Sequence, residues 1–119
     1  EAPPPFAGEA VGLTPNGLRV DGITPADRRA MADWRAALTG PFGYRHKDHD
    51  AYRFHMTFAY QTAWLPDDVR ADWDRALPRI LADLRAAAPR IPLGPAEFCT
   101  FDDMTAFPPI LRLAPSERP

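Results

Sequence analysis

Cysteine is almost absent from this sequence, because Cys99 is the single example among 119 residues. One cysteine cannot form an internal disulfide, so a disulfide-stapled secreted domain is excluded and a reducing compartment, the cytoplasm, is expected. No apolar run approaches the roughly 20 residues that a helix needs to span a bilayer. The hydrophobic core of a signal peptide is also missing, so we expect no membrane partner.

An excess of charge of either sign is missing as well. The chain has 14 basic and 16 acidic residues, a net charge of −2, and the two signs are interspersed. This balance argues against the broad basic surface that binds duplex DNA, but it is compatible with a small local basic pocket. A hydrophobic content of 45% is typical of one folded domain, or of one half of a pseudo-symmetric pair.

The segment 52–61 alternates between two kinds of side chain. The apolar or aromatic set is Tyr52, Phe54, Met56, Phe58 and Tyr60. The polar or small set is Arg53, His55, Thr57, Ala59 and Gln61. Period-two alternation predicts a strand with one buried and one polar face. We expect a central strand that continues to Trp64 or Leu65, with His55 and Thr57 roughly 7 Å apart on its polar face.

Local signals place further elements on both sides of this strand. Asn16-Gly17 between two short apolar segments predicts a β-hairpin. Residues 24–27 begin a first helix, which Gly40-Pro41 is expected to stop. A second helix begins near Pro66. Pro78 lies inside it, and because the apolar stripe keeps its phase across Pro78, one kinked helix is expected rather than two.

Two short strands around a turn at residues 102–104 complete the element order. Strands and helices are mixed, so the sequence predicts an α+β fold with an antiparallel or mixed sheet. Both helices are expected to pack on one face of the sheet through Trp34 and Trp73. The other face is then open, polar and concave, which is a suitable place for a ligand.

The domain boundaries follow from this order. Residues 10–113 are expected to form a single α+β lobe. Residues 1–9, which contain three consecutive prolines, are expected to be an extended N-terminal lead-in. Residues 114–119 are expected to be a C-terminal tail.

The motif His55-Met56-Thr57-Phe58 resembles the His-x-Thr/Ser-hydrophobic signature of the 2H phosphoesterase superfamily. That superfamily includes RNA 2′,3′-cyclic phosphodiesterases and RNA 2′-5′ ligase-like proteins. Residues 52–65, with residues 97–101 and Met104 downstream, are similar to an uncharacterised bacterial branch of the superfamily. The resemblance implies the C-terminal lobe of a two-lobed fold, in which the two lobes present histidines to each other across a groove.

The resemblance also implies a chemistry, hydrolysis of a phosphodiester without a cofactor. His55 would give or take a proton, and Thr57 would hold a phosphoryl oxygen of a small nucleotide or an RNA end. These roles agree with elementary chemistry, because histidine titrates near neutral pH. Arg53 on the same face can add a charge-assisted contact to the phosphate, and Gln61 can contact a base or sugar.

A second His-x-Thr or His-x-Ser motif is missing from the sequence. Three explanations stay open: another lobe precedes Glu1 in a longer chain, two copies of the chain pair, or the chain does not catalyse. The last explanation gives an alternative function, a non-catalytic module that binds a nucleotide or a phosphorylated ligand. Which of the two acid–base roles His55 takes also stays open.

A further alternative is a metal-dependent hydrolase that uses the charged loop before the strand. Its candidate ligands are His46, Asp48, His49, Asp50 and His55. Histidine and carboxylate side chains are suitable ligands for divalent metals. A solvated charged loop explains this run more simply, so no metal is expected in the site.

Overall fold

Six strands and two α-helices lie within residues 5–113, the part of the chain that the computed structural model describes. In chain order they are β1 (Phe6–Thr14), β2 (Gly17–Gly22), α1 (Pro25–Phe42), β3 (His55–Thr57), α2 (Asp67–Ala87), β4 (Ile91–Leu93), β5 (Ala96–Cys99) and β6 (Pro109–Leu113). Four strands form an antiparallel sheet in the order β3-β2-β1-β4, and β5 pairs with β6 separately. The predicted α+β fold is confirmed.

The β1–β2 hairpin is confirmed, with Pro15–Asn16 as its two-residue loop. The Thr14 hydroxyl oxygen accepts hydrogen bonds from the backbone N–H groups of Asn16 and Gly17, both at 3.2 Å. β1 begins at Phe6, so residues 6–9 belong to the sheet and the extended lead-in predicted over residues 1–9 is too long. Residues 1–4 and the predicted tail at 114–119 lie outside the described residues.

α1 begins with a capping box that also attaches it to the sheet. The Thr24 hydroxyl accepts a hydrogen bond from the backbone N–H of Asp27, and the Asp27 carboxylate accepts one from that of Thr24. The same carboxylate accepts a 3.0 Å bond from the backbone N–H of Ala7 on β1. The bond from Ala7 and those from Thr24 lower the pKa of Asp27.

The prediction that Gly40-Pro41 stops α1 is wrong, because the helix continues to Phe42. It ends there because Gly43 adopts the left-handed conformation, with φ 60° and ψ 23°, and its N–H donates to the Gly40 carbonyl. The predicted single helix across Pro78 is confirmed, since α2 runs unbroken through this proline.

The small core lies between the β1–β2 hairpin and α1. Its buried apolar residues are Ala7, Ala10, Val20, Ala30, Met31 and Trp34. α1 packs so closely on the hairpin that a Cβ at Gly22 would lie only 2.5 Å from the backbone nitrogen of Arg28. α2 packs on β1, but none of its residues is buried. Trp34 is a core residue as predicted, whereas Trp73 is 37% exposed.

The long central strand predicted over residues 52–65 is wrong. β3 has three residues and lies at the edge of the sheet, paired with β2 alone. Its ladder ends where the N–H groups of Phe58 and Ala59 both donate to the Asn16 carbonyl. Neither helix packs on β3, and the aromatic residues that follow it are exposed: Phe58 is 60% and Tyr60 56% accessible.

Large apolar side chains therefore remain exposed over a wide surface. They include Phe58, Tyr60, Trp64, Val69 and Trp73 before and within α2, and Phe98, Phe101, Phe107, Ile110 and Leu111 in the β5–β6 region. The radius of gyration is 16.7 Å, against roughly 13–14 Å for a compact domain of this length. Within residues 5–113, neither α-helix combines the length and the apolar character needed to cross a membrane.

Candidate functional site

An open groove of about 310 Å³ lies beside β3. Three of the four predicted site residues line it: Arg53, His55 and Thr57. The tip of the β1–β2 hairpin supplies the opposite wall, with Thr14, Asn16, Gly17, Leu18 and Arg19. Strand pairing, and not nearness in sequence, brings these two groups of residues together.

The register of the β2–β3 pair fixes which side chains meet. His55 lies opposite Arg19, and Thr57 lies opposite Gly17. Residues that face each other across an antiparallel pair share one face of the sheet, with Cβ atoms about 4.5–5.5 Å apart. Val20 alternates with Arg19 and is buried beneath α1. The groove therefore lies on the face of the sheet that α1 leaves uncovered, as the sequence predicts.

Gly17 permits this pairing because it has no side chain. A Cβ at position 17 would overlap the carbonyl oxygen of Met56 and lie 3.0 Å from the Cα of Thr57. The strand is held at its other end by a 2.9 Å hydrogen bond from the Val20 N–H to the Phe54 carbonyl. His55 and Thr57 thus have a fixed position relative to the hairpin tip.

One ring nitrogen of His55, Nδ1, has two polar neighbours, and we call it the inner nitrogen. Nδ1 lies 3.4 Å from the carbonyl oxygen of Arg53 and 3.5 Å from the hydroxyl of Tyr52. Nε2 has no hydrogen-bond partner among residues 5–113, and the histidine is exposed. One ring nitrogen is thus oriented by the protein, while the other is available to a ligand.

The electrostatics of the groove favour an anion. Arg19 and Arg53 line it, together with Thr14 and Thr57, and no acidic side chain from the described part of the chain lies in its lining. Within the described range, neither arginine forms an ion pair. Two unpaired guanidinium groups and two hydroxyls are suitable donors for the oxygens of a phosphate.

Gln61, the fourth predicted site residue, lies apart from the groove. It lines a separate surface pocket with Thr62, Ala63 and Trp64. The reason is that β3 ends at Thr57, so the alternation of an extended strand no longer decides where the side chain of residue 61 is placed.

Two residues of the candidate site, Arg19 and Tyr52, were missed in the sequence analysis. Arg19 lies in a hairpin strand, and only the register that places it opposite His55 marks it as part of the site. Tyr52 belongs to the apolar side of the alternation, yet its hydroxyl reaches the His55 ring across the edge of the sheet. The three-residue spacing from Tyr52 to His55 carries no strand signal that could have found this contact.

The loop before β3 gives the metal-dependent alternative no support. Over residues 5–113, no three His, Cys, Asp or Glu side chains converge as a metal site would need. Loop residues interact with one another instead. His46 Nδ1 accepts a 3.1 Å hydrogen bond from the Asp48 N–H, and Arg45 lies 3.5 Å from the Asp50 carboxylate.

Comparison with known proteins identifies a similar fold and no activity. No protein-family model matches the chain, and a search of curated proteins gives no significant match. The chain is similar to the conserved protein of unknown function ATU0111 from Agrobacterium tumefaciens str. C58, a crystal structure. The two are 38% identical with a TM-score of 0.86, over 94% of this chain and 48% of that chain. This chain thus spans about half the length of ATU0111.

Proposed function

We propose that this chain is one lobe of a phosphodiester hydrolase of the 2H type, acting on a small nucleotide or an RNA end. The observation that carries the proposal is the groove beside β3. There His55, Thr57 and two arginines lie on one open face, and within residues 5–113 neither arginine forms an ion pair and no acidic side chain lines the groove. This combination of a proton-transfer group with anion donors is what cleavage of a phosphodiester needs.

Each residue has a role in this proposal. The Thr57 hydroxyl and the guanidinium groups of Arg19 and Arg53 bind the phosphoryl oxygens. His55 transfers a proton through Nε2, its free nitrogen. The single cysteine supports a cytoplasmic location, where RNA ends and small nucleotides are available.

The reaction needs a second proton-transfer group, which we assign to a second lobe. Two observations support such a lobe. The exposed apolar side chains around α2, with Trp64 91% accessible, form a surface that a packing partner would cover. ATU0111 is also about twice as long as the region it shares with this chain. An upstream lobe and a second copy of the chain are both compatible with these observations.

His55→Ala in the intact protein tests the proposal directly. We expect kcat/KM for a 2′,3′-cyclic nucleotide to fall by roughly 100- to 10,000-fold, the usual contribution of a general acid or base. His49→Ala is the matched control, because His49 lies in the loop before β3 and outside the groove. Wild-type turnover in His55→Ala would refute the proposed role of His55.

A non-catalytic binding module is the second candidate function. It is favoured by one observation, that among the described residues His55 is the only histidine lining the groove. Calorimetric titration of the intact protein with a cyclic nucleotide separates the two functions. Saturable binding that depends on Arg19, without any turnover, would support the module and contradict the hydrolase.

A further inference from the structure

Tyr52 and Arg35 form a chain of contacts that ends at His55. The Arg35 guanidinium carbon lies 3.5 Å from the centroid of the Tyr52 ring, stacked on its face. The hydroxyl of the same ring lies 3.5 Å from His55 Nδ1. Because Arg35 is on α1 and His55 lines the groove on the opposite face, Tyr52 connects the two faces around the edge of the sheet.

Arg35 has few other interactions to explain its position. It is half-buried, and its buried Nε atom has no hydrogen-bond partner among the residues that the structure describes. It forms no ion pair with any residue in the range 5–113. The tyrosine ring is thus the main contact for its charge. A cation over an aromatic face is attracted to the ring electrons and withdraws density from them, which makes a phenol hydroxyl a better hydrogen-bond donor.

The two neighbours of His55 Nδ1 require opposite proton positions. The Arg53 carbonyl oxygen, at 3.4 Å, can only accept a hydrogen bond, so it favours a proton on Nδ1. A donating Tyr52 hydroxyl needs the Nδ1 lone pair, so it favours the tautomer with its proton on Nε2. Which neighbour prevails decides what His55 presents to the groove.

We propose that Tyr52, stacked beneath Arg35, is a positioning residue that donates to His55 Nδ1 and holds the neutral imidazole as its Nε2–H tautomer. The inference rests on the proposed function and deepens it, because it assigns His55 its role. Neutral His55 then presents an N–H and no lone pair to the groove, so it cannot abstract a proton there, and the proton-abstracting group lies on the second lobe. Protonated His55 can donate its Nε2 proton to the leaving oxygen, and the ring keeps its Nδ1 proton, which hydrogen-bonds to the Arg53 carbonyl.

Ring ¹⁵N chemical shifts of histidine test this without any measurement of turnover. The intact protein is labelled with [¹⁵N]histidine and studied at about pH 8.5, where histidines are ordinarily neutral. The resonances lost in His55→Gln identify the residue. We expect the Nε2–H tautomer to dominate in the wild type. In Tyr52→Phe the tautomer ratio should fall roughly fivefold, the equilibrium effect of one ordinary hydrogen bond.

Two further variants make the result specific. Arg35→Met should lower the ratio in the same direction by removing the cation from the ring. Tyr44→Phe is the matched control, because its ring lies near His46 and away from the groove, and it should leave the ratio unchanged. A dominant Nδ1–H tautomer in the wild type, or an unchanged ratio in Tyr52→Phe, would overturn the proposal. If Tyr52→Phe fails to fold, the change of the tautomer ratio in Arg35→Met decides the question.

The same data separate this inference from the proposed function. Without hydrolysis by the intact protein, the hydrolase is refuted whatever the tautomer. With hydrolysis and a dominant Nδ1–H tautomer, the hydrolase stands and the role assigned to Tyr52 is wrong. In an active enzyme, Tyr52→Phe should leave KM nearly unchanged, because Tyr52 does not line the groove that holds the phosphate.

Discussion

Gly17→Ala tests whether the pairing of β2 with β3 builds the groove. The added Cβ would overlap the Met56 carbonyl oxygen and lie 3.0 Å from the Cα of Thr57. Both obstacles are backbone, so rotation of a side chain cannot relieve them, and β3 must move outward. Overpacking of this kind costs about 1–3 kcal/mol. Because β3 is a short edge strand that can move, we expect a loss of about 1–2 kcal/mol in the free energy of unfolding.

The effect on the site should exceed the effect on stability. Thr57 moves with β3, while Arg19 stays on the hairpin, so the two phosphate-binding walls separate. A displacement of about 1 Å in positioning groups costs roughly 100-fold in rate. Urea denaturation followed by tryptophan fluorescence measures the effect on stability. Turnover of a cyclic nucleotide by the intact protein measures the effect on the site.

Gly94→Ala is the matched control for Gly17→Ala. A Cβ at position 94 would meet no atom of the described residues within 4 Å, and the residue does not have a positive φ. Its effect on unfolding should stay within about 0.5 kcal/mol. If Gly17→Ala keeps both the stability and the turnover of the wild type, the role assigned to the β2–β3 register is refuted.

Two other side chains give separate tests. Arg19→Gln should weaken the binding of inorganic phosphate roughly tenfold, since a charge-assisted contact is lost; calorimetry measures it, and Arg29→Gln on α1 should bind normally. Asp27 has a lowered pKa, so its carboxylate stabilises the fold above about pH 4, and this contribution is lost as pH falls through the lowered value. Asp27→Asn should therefore reduce stability at pH 7 and flatten the acid limb of urea-denaturation curves, whereas Asp33→Asn should reproduce the wild-type curve.

The helices of this protein could be read from short stretches of sequence. The capping box that begins α1 needs only Thr24 and Asp27, three residues apart, and the structure contains both of its hydrogen bonds. α2 follows from an apolar stripe that keeps its phase across Pro78. The end of α1 was harder, because the left-handed Gly43 closes the helix two residues after the Gly40-Pro41 signal that the prediction used.

The alternation over residues 52–61 correctly marked a strand and gave its polar side. It could not give the length of that strand or its place in the sheet. Alternation has the same form in an edge strand and in a central one, and the number of paired residues depends on the neighbour. Here the Asn16 carbonyl takes up the next two N–H groups after β3 and ends the ladder. Gln61, four residues further on, consequently lies outside the groove.

The sequence by itself determined the α+β class, the helix starts, the hairpin, and the side of the segment 53–57 that carries Arg53, His55 and Thr57. Those features depend on residues that are close together in the chain, where capping, turn and alternation signals act. The tertiary structure alone decided that Arg19 faces His55 and that Arg35 and Tyr52 reach its inner nitrogen. Such contacts depend on strand register and on the packing of α1, which join residues distant in sequence and leave no local pattern.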